Sequence, residues 1–415
     1  MQPTQQHRIV VLGAGYTGAV AAGRIAKRLH RGDVTITLVN PEPDFVERVR
    51  LHQVAAGQDL KPRPFAEMFA GTGVQLRLGH VTAVDVDRKT VSVTGADGQD
   101  DGRPAELPYD TLVYALGSGW NDGGVPGAAA HAHEVSSRPG ALRLRERLAA
   151  LGAGRTVVVV GGGLTGLEAA TEIAEARPDL DVALAARGVL GDWLSAKGRA
   201  HLRKVVDGLG ITVHEHTAVA EVTVDRVITA DGTAVPADVT VWTTGFAVRP
   251  IAEATTLRLT DRGQIVVDGT MRSVSHPDVY AVGDAAMAIG PNGKPLRMSC
   301  ASGVPMAWQA ADAIAARLAG TKVPQVAIRY FQQCISLGRK EGLIQFVTAD
   351  DRAVDRALTG RVAALYKELI CKGAAWGVAN PTAGLPTRRR HVVPQDIPAL
   401  APVLAPALAE AEATA

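Results

Sequence analysis

The chain has 415 residues, more than one ordinary hydrophobic core can hold, so two or three domains are expected. Its formal net charge is only +2, with 21% charged and 47% hydrophobic residues, so neither nucleic acid nor an anionic surface is indicated as the main partner. The three cysteines, Cys300, Cys334 and Cys371, are far apart in sequence and form neither a disulfide framework nor a zinc motif, which fits a reducing compartment.

Two glycine-rich turns mark a repeat in the first half of the chain. The segment Arg8-Ile-Val-Val-Leu-Gly-Ala-Gly-Tyr-Thr-Gly18 is echoed by Thr156-Val-Val-Val-Val-Gly-Gly-Gly-Leu-Thr-Gly166. Each continues into an Ala-rich helix and a second short strand, predicted at 17–29 and 34–39 in the first unit and at 165–176 and 182–185 in the second. Strands that are apolar throughout are typical of parallel sheets buried on both faces, so the repeat predicts two βαβ units in an α/β fold.

Three further apolar strands each end in a glycine. These strands run into Gly117, Gly245 and Gly283-Asp284. A helix is predicted at 305–318, after the third of them. The segment 91–108 is rich in Asp and Gly and is predicted to be a hairpin or a loop excursion.

The pattern changes from about residue 325 onwards. Strands are predicted at 328–334 and 343–347, followed by a helix at 361–371. These elements predict a smaller, separate C-terminal α+β module, which the cluster Arg388-Arg-Arg390 ends.

Gly13, Gly15 and Gly18 have the spacing of the dinucleotide fingerprint, Gly-x-Gly-x-x-Gly. The first glycine allows a tight turn, the second lets the backbone approach a pyrophosphate, and the third lets the helix pack on the strand. The phosphates then lie at the N-terminus of the helix that begins near Thr17. A plain tight turn would explain one such box but not the second copy.

The second box consists of Gly161, Gly163 and Gly166 with Glu168 after it, and it predicts a second nucleotide. Two nucleotides held near each other are what electron transfer between cofactors requires. At the ribose position the first unit has Asn40, whose side-chain oxygen can still accept a hydrogen bond from a hydroxyl. The second unit has Arg187 and no carboxylate, which favours the 2′-phosphate of NADPH, unless Arg187 is a solvated loop cation.

The ordered set of motifs over residues 8–375 resembles the two-dinucleotide-binding-domain flavoproteins of the pyridine nucleotide-disulfide oxidoreductase superfamily. The branch that it resembles contains the type II NADH dehydrogenases and the apoptosis-inducing-factor-like oxidoreductases. The resemblance implies that the first box binds FAD, the second binds NAD(P)H, and Asp284 hydrogen-bonds the ribityl chain. It also places Thr17, Arg48 and Val81 among the cofactor-binding residues, although Arg48 could equally be a solvated surface cation.

The resemblance implies two Rossmann-like domains and the smaller C-terminal module. The boundaries expected for them are 1–118 and 255–325 for the FAD-binding domain, 119–254 for the inserted NAD(P)H-binding domain, 326–395 for the C-terminal module and 396–415 for a flexible tail. We name no catalytic residue, because hydride transfer from nicotinamide to flavin N5 needs alignment and desolvation and no protein acid or base. By resemblance, a helix beginning near Gly303 points its N-terminus at the flavin ring.

The acceptor implied by the resemblance is a quinone. A ferredoxin-type reductase and a slow-turnover flavoprotein for redox sensing or partner binding are the alternatives. The segment Phe45–Gly57, where disulfide reductases of the superfamily carry a cysteine pair, has no cysteine. Electrons are therefore not expected to leave through an intramolecular disulfide. Cys300, just ahead of the helix that begins near Gly303, is expected to be a small buried thiol rather than a redox group. The spacing of Gly127 and His131 occurs in flavin monooxygenases, but the flanking aromatics are missing, so we attribute it to chance.

The acceptor side and the location of the protein are less constrained. Tyr330 and Phe331 suit either a core strand or a quinone contact, and the helix at 361–376 suits either a lipid surface or a packed domain. The N-terminus lacks the pattern of a signal peptide and no apolar run is long enough for a spanning helix. We therefore expect a cytoplasmic protein, with a peripheral contact to the inner face of the membrane and a homodimer both left open.

Overall fold

The structure is a computed structural model that describes residues 6–95, 104–384 and 388–394. The α-helices are α1 (Tyr16–Arg28), α2 (Leu51–Ala55), α3 (Phe65–Met68), α4 (Ala128–His131), α5 (Arg138–Ala149), α6 (Leu164–Ala176), α7 (Ala196–Gly208), α8 (Cys300–Leu318) and α9 (Gly360–Ala379). The strands of the first half are β1 (His7–Leu12), β2 (Val34–Asn40), β3 (Val74–Leu78), β4 (His80–Asp85), β5 (Thr90–Thr94), β6 (Ala105–Pro108), β7 (Thr111–Tyr114), β8 (Ser118–Trp120), β9 (Ala132–Glu134), β10 (Thr156–Val160) and β11 (Asp181–Ala185). Those of the second half are β12 (Thr212–His214), β13 (Val219–Val222), β14 (Arg226–Thr229), β15 (Ala234–Pro236), β16 (Val239–Trp242), β17 (Phe246–Val248), β18 (Ile265–Val266), β19 (Val279–Ala281), β20 (Ala286–Met287), β21 (Gln332–Leu337), β22 (Glu341–Val347) and β23 (Ala353–Thr359).

The first large sheet has five parallel strands in the order β19-β7-β1-β2-β3. It joins strands from the beginning of the chain to β19, which lies far along the sequence. The pairing of Ile9 with both Ile36 and Thr111 places β1 in the middle, where its side chains are buried on both faces. Helix α8 packs against α1, and Asp312 of α8 accepts two hydrogen bonds from Arg24 of α1 at 2.8 and 2.7 Å.

The second large sheet repeats this arrangement with the parallel order β12-β11-β10-β16-β9. Its central strand β10 is Thr-Val-Val-Val-Val, which suits a strand covered on both faces. The α/β class with two parallel, Rossmann-like sheets is thus confirmed. Both glycine-rich turns follow the central strand of their sheet, so each lies at the carboxyl edge.

Small antiparallel sheets surround the two parallel ones. Strands β4-β5-β6 and β13-β14-β15 form two of them, β8 and β17 pair with each other, and β21-β22-β23 form the C-terminal sheet. Three apolar residues of the C-terminal sheet, Ile335, Leu337 and Leu343, are buried in the same core as Val157 and Leu167. The C-terminal sheet therefore shares a core with the second parallel sheet.

Several predicted boundaries differ from the observed ones. Helix α8 begins at Cys300, whereas the sequence predicted a start at Pro305. Proline lacks the N–H that continues a helix, so it suited the first turn better than the interior where the structure places it. Strand β21 covers Gln332–Leu337 rather than 328–334, since its register is fixed by pairing with β22. Helix α9 extends beyond 371 to Ala379.

Other predictions concern segments that the structure describes only in part. Within 91–108, β5 and β6 pair antiparallel, as expected for a hairpin, and residues 96–103 lie outside the described ranges. The proposed tail of 396–415 also lies outside them. No helix among the described residues is long and apolar enough to cross a membrane.

Candidate functional site

The first glycine-rich turn forms an open cradle at the N-terminus of α1. Gly13 has φ +87°, and a Cβ there would lie 2.6 Å from the carbonyl oxygen of Ala115, so only glycine fits. A Cβ on Gly18 would overlap the carbonyl oxygen of Gly13. The helix can approach the turn this closely because glycine has no Cβ. A Cβ on Gly15, by contrast, would meet no atom within 4 Å. Gly15 is the N-cap of α1 and makes no side-chain cap, so the cradle presents free backbone N–H groups to an anion.

Asn40 stabilises this turn from the end of β2. Its Oδ1 accepts a hydrogen bond from the N–H of Ala14 at 3.0 Å, and its Nδ2 donates to the carbonyl oxygen of Glu42 at 2.8 Å. The amide oxygen has a second lone pair, so it can also accept from a ligand hydroxyl. The sequence placed Asn40 at the ribose position, and the structure places it beside the turn.

Arg48, Ser118 and Asp284 form a polar cluster near the start of α1, since Gly283, next to Asp284, lies against Thr17. Arg48 donates to the carbonyl oxygen of Ser118 at 2.8 Å, and the hydroxyl of Ser118 donates to Asp284 Oδ2 at 2.6 Å. The guanidinium of Arg48 also lies 3.8 Å from that carboxylate oxygen and 5.2 Å from the centre of the Phe246 ring. Arg48 is thus fixed by neighbours from three parts of the chain and is not a freely solvated cation.

The N-terminus of α8 reaches the same place. A Cβ on Gly303 would lie 2.7 Å from Cγ2 of Thr17 and 3.4 Å from Cα of Gly283, so these three residues touch. Cys300, in the first turn of α8, is exposed. The expectation of a buried thiol at Cys300 is therefore wrong, because the helix starts one turn earlier than predicted and presents that residue at its open end.

Three other residues that were predicted to bind a cofactor are Gly117, Gly245 and Val81. Gly117 immediately precedes Ser118, and a Cβ on it would lie 3.9 Å from Arg48. Gly245 precedes Phe246, which pairs with Trp120 across β17 and β8. Val81 lies in β4, where it pairs with Val93 and packs against the first core.

The second glycine-rich turn has the same geometry as the first. Gly161 has φ +123°, and a Cβ on it would lie 2.5 Å from Oγ1 of Thr243. A Cβ on Gly166 would overlap the carbonyl oxygen of Gly161, whereas one on Gly163 would meet no atom within 4 Å. Arg187 follows β11 and is exposed, and no hydrogen bond or ion pair ties it down within the described part of the chain.

The side chain of Glu168, one turn into α6, contacts the C-terminal sheet and α9. Its Oε1 accepts from the backbone N–H of Ser336 at 3.0 Å and from Nζ of Lys367 at 2.9 Å. Lys367 also donates to the carbonyl oxygen of Cys334 at 2.9 Å. Burial opposes both charges, yet each partner holds the other ionised, so the pKa of Glu168 is lowered and that of Lys367 is raised.

Two further buried groups lie near this ion pair. Burial lowers the pKa of His52 to about 4, so its ring is neutral, and its Nε2 has no hydrogen-bond partner among the described residues. Burial raises the pKa of Glu172, one turn along α6 from Glu168, to about 7. Its Oε1 accepts from Gln58 at 2.5 Å. Sequence analysis did not identify His52, Glu172 or the ion-pair role of Lys367, because only the tertiary fold brings them together.

The C-terminal segment contributes one anchored and several exposed aromatic or apolar side chains. Tyr330 is buried, and its hydroxyl accepts from the N–H of Arg297 at 2.7 Å, whereas Phe331 is 74% exposed. Helix α9 carries an exposed apolar stripe at helical spacing, formed by Val362, Leu365, Tyr366, Leu369, Ile370 and Trp376.

Comparison with known proteins agrees with this architecture. The pyridine nucleotide-disulphide oxidoreductase family model matches residues 7–315, which is most of the chain. An NADH dehydrogenase-like protein of Mycobacterium tuberculosis is 30% identical over 325 residues, covering 72% of this chain and 78% of that one. The type II NADH:quinone oxidoreductase Ndh of the same organism is 29% identical and covers 70% of this chain and 69% of its own.

Solved structures share the fold at lower sequence identity. NDH2 from Plasmodium falciparum superposes with a TM-score of 0.76 at 13% identity, covering 91% of this chain and 97% of that one. The sulfide:quinone oxidoreductase of Aquifex aeolicus gives 0.75 at 20% identity, covering 90% and 92%. The two-sheet fold with paired glycine turns is that of a double-dinucleotide-binding flavoprotein. The chain belongs to the pyridine nucleotide-disulphide oxidoreductase family, as the motif resemblance indicated.

Proposed function

We propose that this protein is an FAD-dependent oxidoreductase that takes hydride from NAD(P)H and reduces a quinone-like acceptor. The observation that carries the proposal is the pair of matching cradles. Gly15 and Gly163 each begin a helix at the carboxyl edge of a parallel sheet, with open space where a side chain would be. The M. tuberculosis relative named as a type II NADH:quinone oxidoreductase supports the choice of donor and acceptor.

The first cradle fits the pyrophosphate of FAD. The N–H groups at the start of α1 would hold the phosphates, and Asn40 would accept from the ribose. Thr17, Asp284 and Arg48 would line the remainder of the site. FAD supplies the capacity to accept hydride from a nicotinamide and to pass on the electrons. We divide the chain accordingly into an FAD-binding domain of 1–118 and 255–325, a nucleotide domain of 119–254 and a C-terminal module of 326–395.

The protein's own residues would position and shield the reactants. The cluster of Arg48, Ser118 and Asp284 is cross-linked by hydrogen bonds, so its side chains need little reorganisation when a ligand binds. The uncapped N-terminus of α8 lies against Thr17 and Gly283 and would stabilise negative charge there. No side chain needs to act as acid or base in hydride transfer.

We propose that the second cradle binds NADPH in preference to NADH. Arg187 follows the strand that leads to the adenosine ribose, and its exposed guanidinium can pair with a 2′-phosphate. The residues before it, Ala185 and Ala186, offer no carboxylate to a 2′-hydroxyl.

The exposed stripe of α9 is proposed to dock on a lipid surface. Its residues at 362, 365, 366, 369, 370 and 376 recur at the spacing of one helical face, and Leu365 and Leu369 are 67% and 68% exposed. A quinone dissolved in lipid would then be within reach, and the protein would act at the inner face of the membrane. A second copy of the chain is the other occupant that a binding experiment would reveal.

Stopped-flow spectroscopy of the FAD-loaded protein tests the function directly. We expect NADPH or NADH to bleach the flavin absorbance and a short-chain quinone to restore it within the turnover time. Fast reoxidation by a ferredoxin with little by quinones would instead assign a ferredoxin-type reductase. A long-lived charge-transfer band with slow reoxidation by every acceptor would assign a redox-sensing flavoprotein.

A further inference from the structure

Two histidines and an aspartate meet on the surface where the last described segment returns to the first helix. His30 follows α1, Asp33 precedes β2, and His391 lies in the segment 388–394. Nδ1 of His391 is 2.9 Å from Oδ2 of Asp33, and Nδ1 of His30 is 3.8 Å from Oδ1 of the same carboxylate. One donor atom from each residue lies within 4.8 Å of the other two.

Backbone hydrogen bonds hold the three residues in this arrangement. The N–H of His30 donates to the carbonyl oxygen of Arg390 at 2.9 Å, and the N–H of Arg390 donates to Arg28 at 2.9 Å. The N–H of Val392 donates to Asp33 Oδ2 at 2.9 Å. Strand-like pairing of the segment therefore fixes the backbone positions of the three residues.

Two nearby cations on the α1 side are engaged by other groups. Arg28 pairs with Asp312 at 3.0 Å, and Arg31 donates to the carbonyl oxygen of Gly71. Asp33 faces both imidazole rings and also accepts the N–H of Val392 at 2.9 Å.

We propose that His30, Asp33 and His391 form a surface site for a divalent transition metal such as Zn²⁺. Two imidazoles and a carboxylate are a ligand set that Zn²⁺ accepts, and a water from the open side would complete a tetrahedron. Ligand atoms around tetrahedral zinc lie about 3.3 Å apart, so the cluster must contract by roughly 1.5 Å at its widest. His30 and His391 are 49% and 69% exposed and their rings stack at 4.3 Å, so they can rotate towards each other.

The metal would fasten the segment 388–394 to the loop between α1 and β2. The segment already bridges the ends of two helices, because Val393 donates its N–H to Leu318 of α8 and Arg390 donates its N–H to Arg28 of α1, both at 2.9 Å. A bound ion would link His391 to His30 and Asp33 through its coordination bonds, which would lower the free energy of the docked segment. Binding to the folded protein raises its apparent stability by mass action.

Zn²⁺ titration of the full, FAD-loaded chain with any affinity tag removed tests this site. Calorimetry should show one equivalent of Zn²⁺ bound at this site, and Co²⁺ should give visible d–d bands. We expect His30→Ala, Asp33→Asn and His391→Ala each to weaken Zn²⁺ binding at least about tenfold. Loss of a residue that only hydrogen-bonds a metal ligand already weakens binding by about that factor. His80→Ala removes an exposed histidine elsewhere and should change nothing.

Two further variants separate ligation from docking of the segment. His391→Cys supplies a thiolate ligand and should keep Co²⁺ binding with a new sulfur charge-transfer band. The melting temperature of the wild type should rise with excess Zn²⁺, and that of His391→Ala should not. Equal Zn²⁺ affinity in the wild type and all three ligand variants would overturn the proposal, as would loss of binding in His391→Cys as complete as in His391→Ala. The flavin chemistry is not involved in any of these readouts.

Discussion

Oε1 of Glu168 and Nζ of Lys367 lie 2.9 Å apart in an ion pair whose side chains are only 12% and 14% exposed. The pair joins α6, the helix that follows the second glycine turn, to α9 of the C-terminal segment. Both groups carry further hydrogen bonds, from Ser336 to Glu168 and from Lys367 to Cys334. A buried pair of this kind is costly to break, because the remaining charge has no counterion.

Replacing Lys367 by methionine should destabilise the protein by about 3–5 kcal/mol, since Glu168 would be left charged and buried. The double variant Lys367→Met, Glu168→Met should recover much of this loss. Urea unfolding followed by circular dichroism measures both. Lys372→Met is the control, because its ion pair with Glu368 is 64% exposed on the lysine side and should contribute less than about 1 kcal/mol. Equal losses in the two lysine variants would contradict this account.

Glu172→Gln should stabilise the protein at high pH. Burial raises the pKa of this carboxyl to about 7 from a usual 4.5, so the folded state retains a proton that the unfolded state releases. The loss of folding stability that this carboxyl causes is absent below pH 4.5, grows between pH 4.5 and pH 7, and stays constant above pH 7. The glutamine variant should therefore gain up to about 3 kcal/mol at pH 8 and almost nothing at pH 4.5. Glu146→Gln, at an exposed position of α5, should differ from the wild type by less than about 0.5 kcal/mol at either pH.

Valine at each N-cap glycine should remove one cofactor at a time. The side chain of Gly15→Val enters open space in the first cradle, so the protein should fold but purify without flavin. Gly163→Val should keep the yellow colour and lose rapid reduction by NAD(P)H. Flavin content by absorbance and reduction rate by stopped flow give the two readouts. Full flavin content in a folded Gly15→Val variant would refute the assignment of the first cradle.

Arg187→Glu should shift the preference from NADPH towards NADH. A charge-assisted hydrogen bond to the 2′-phosphate is worth about 1.5–3 kcal/mol, which is roughly ten- to a hundredfold in specificity constant. The ratio of kcat/KM for the two nucleotides is the measurement. Equal use of both by the wild type, unchanged in the variant, would show that Arg187 remains in solvent.

Charge on the exposed stripe of α9 should abolish lipid binding. The double variant Leu365→Glu, Leu369→Glu places two carboxylates on the face that we propose to enter the interface. Co-sedimentation with phosphatidylcholine–phosphatidylglycerol vesicles should fall to background, while Val224→Glu, at a 76% exposed site elsewhere, should bind as the wild type. A wild type that ignores vesicles and dimerises through this face, with the dimer lost in the double variant, would assign a second copy as the occupant.

The local signals in the sequence were sufficient for the two units that bear the cradles. The tight turns at Gly13 and Gly161 require a positive φ, which favours glycine. The β-branched runs before them are typical of buried central strands, so the turns and the strands could both be predicted from the sequence. Boundaries were less secure where a local rule was overridden by packing. The helix was predicted to start at Pro305, yet Gly303 donates its N–H to the carbonyl oxygen of Ser299 at 2.9 Å, so the helical turns begin earlier.

The polar interior was decided by tertiary structure alone. Glu168 reads as part of a nucleotide motif, but its partner Lys367 lies far along the chain, and no spacing rule connects them. The same holds for His30 and His391, which strand-like pairing of Arg390 with Leu29 brings together. Periodicity and glycine spacing report on a residue's immediate neighbours, whereas the ionisation of a buried group depends on which distant charges the fold places beside it.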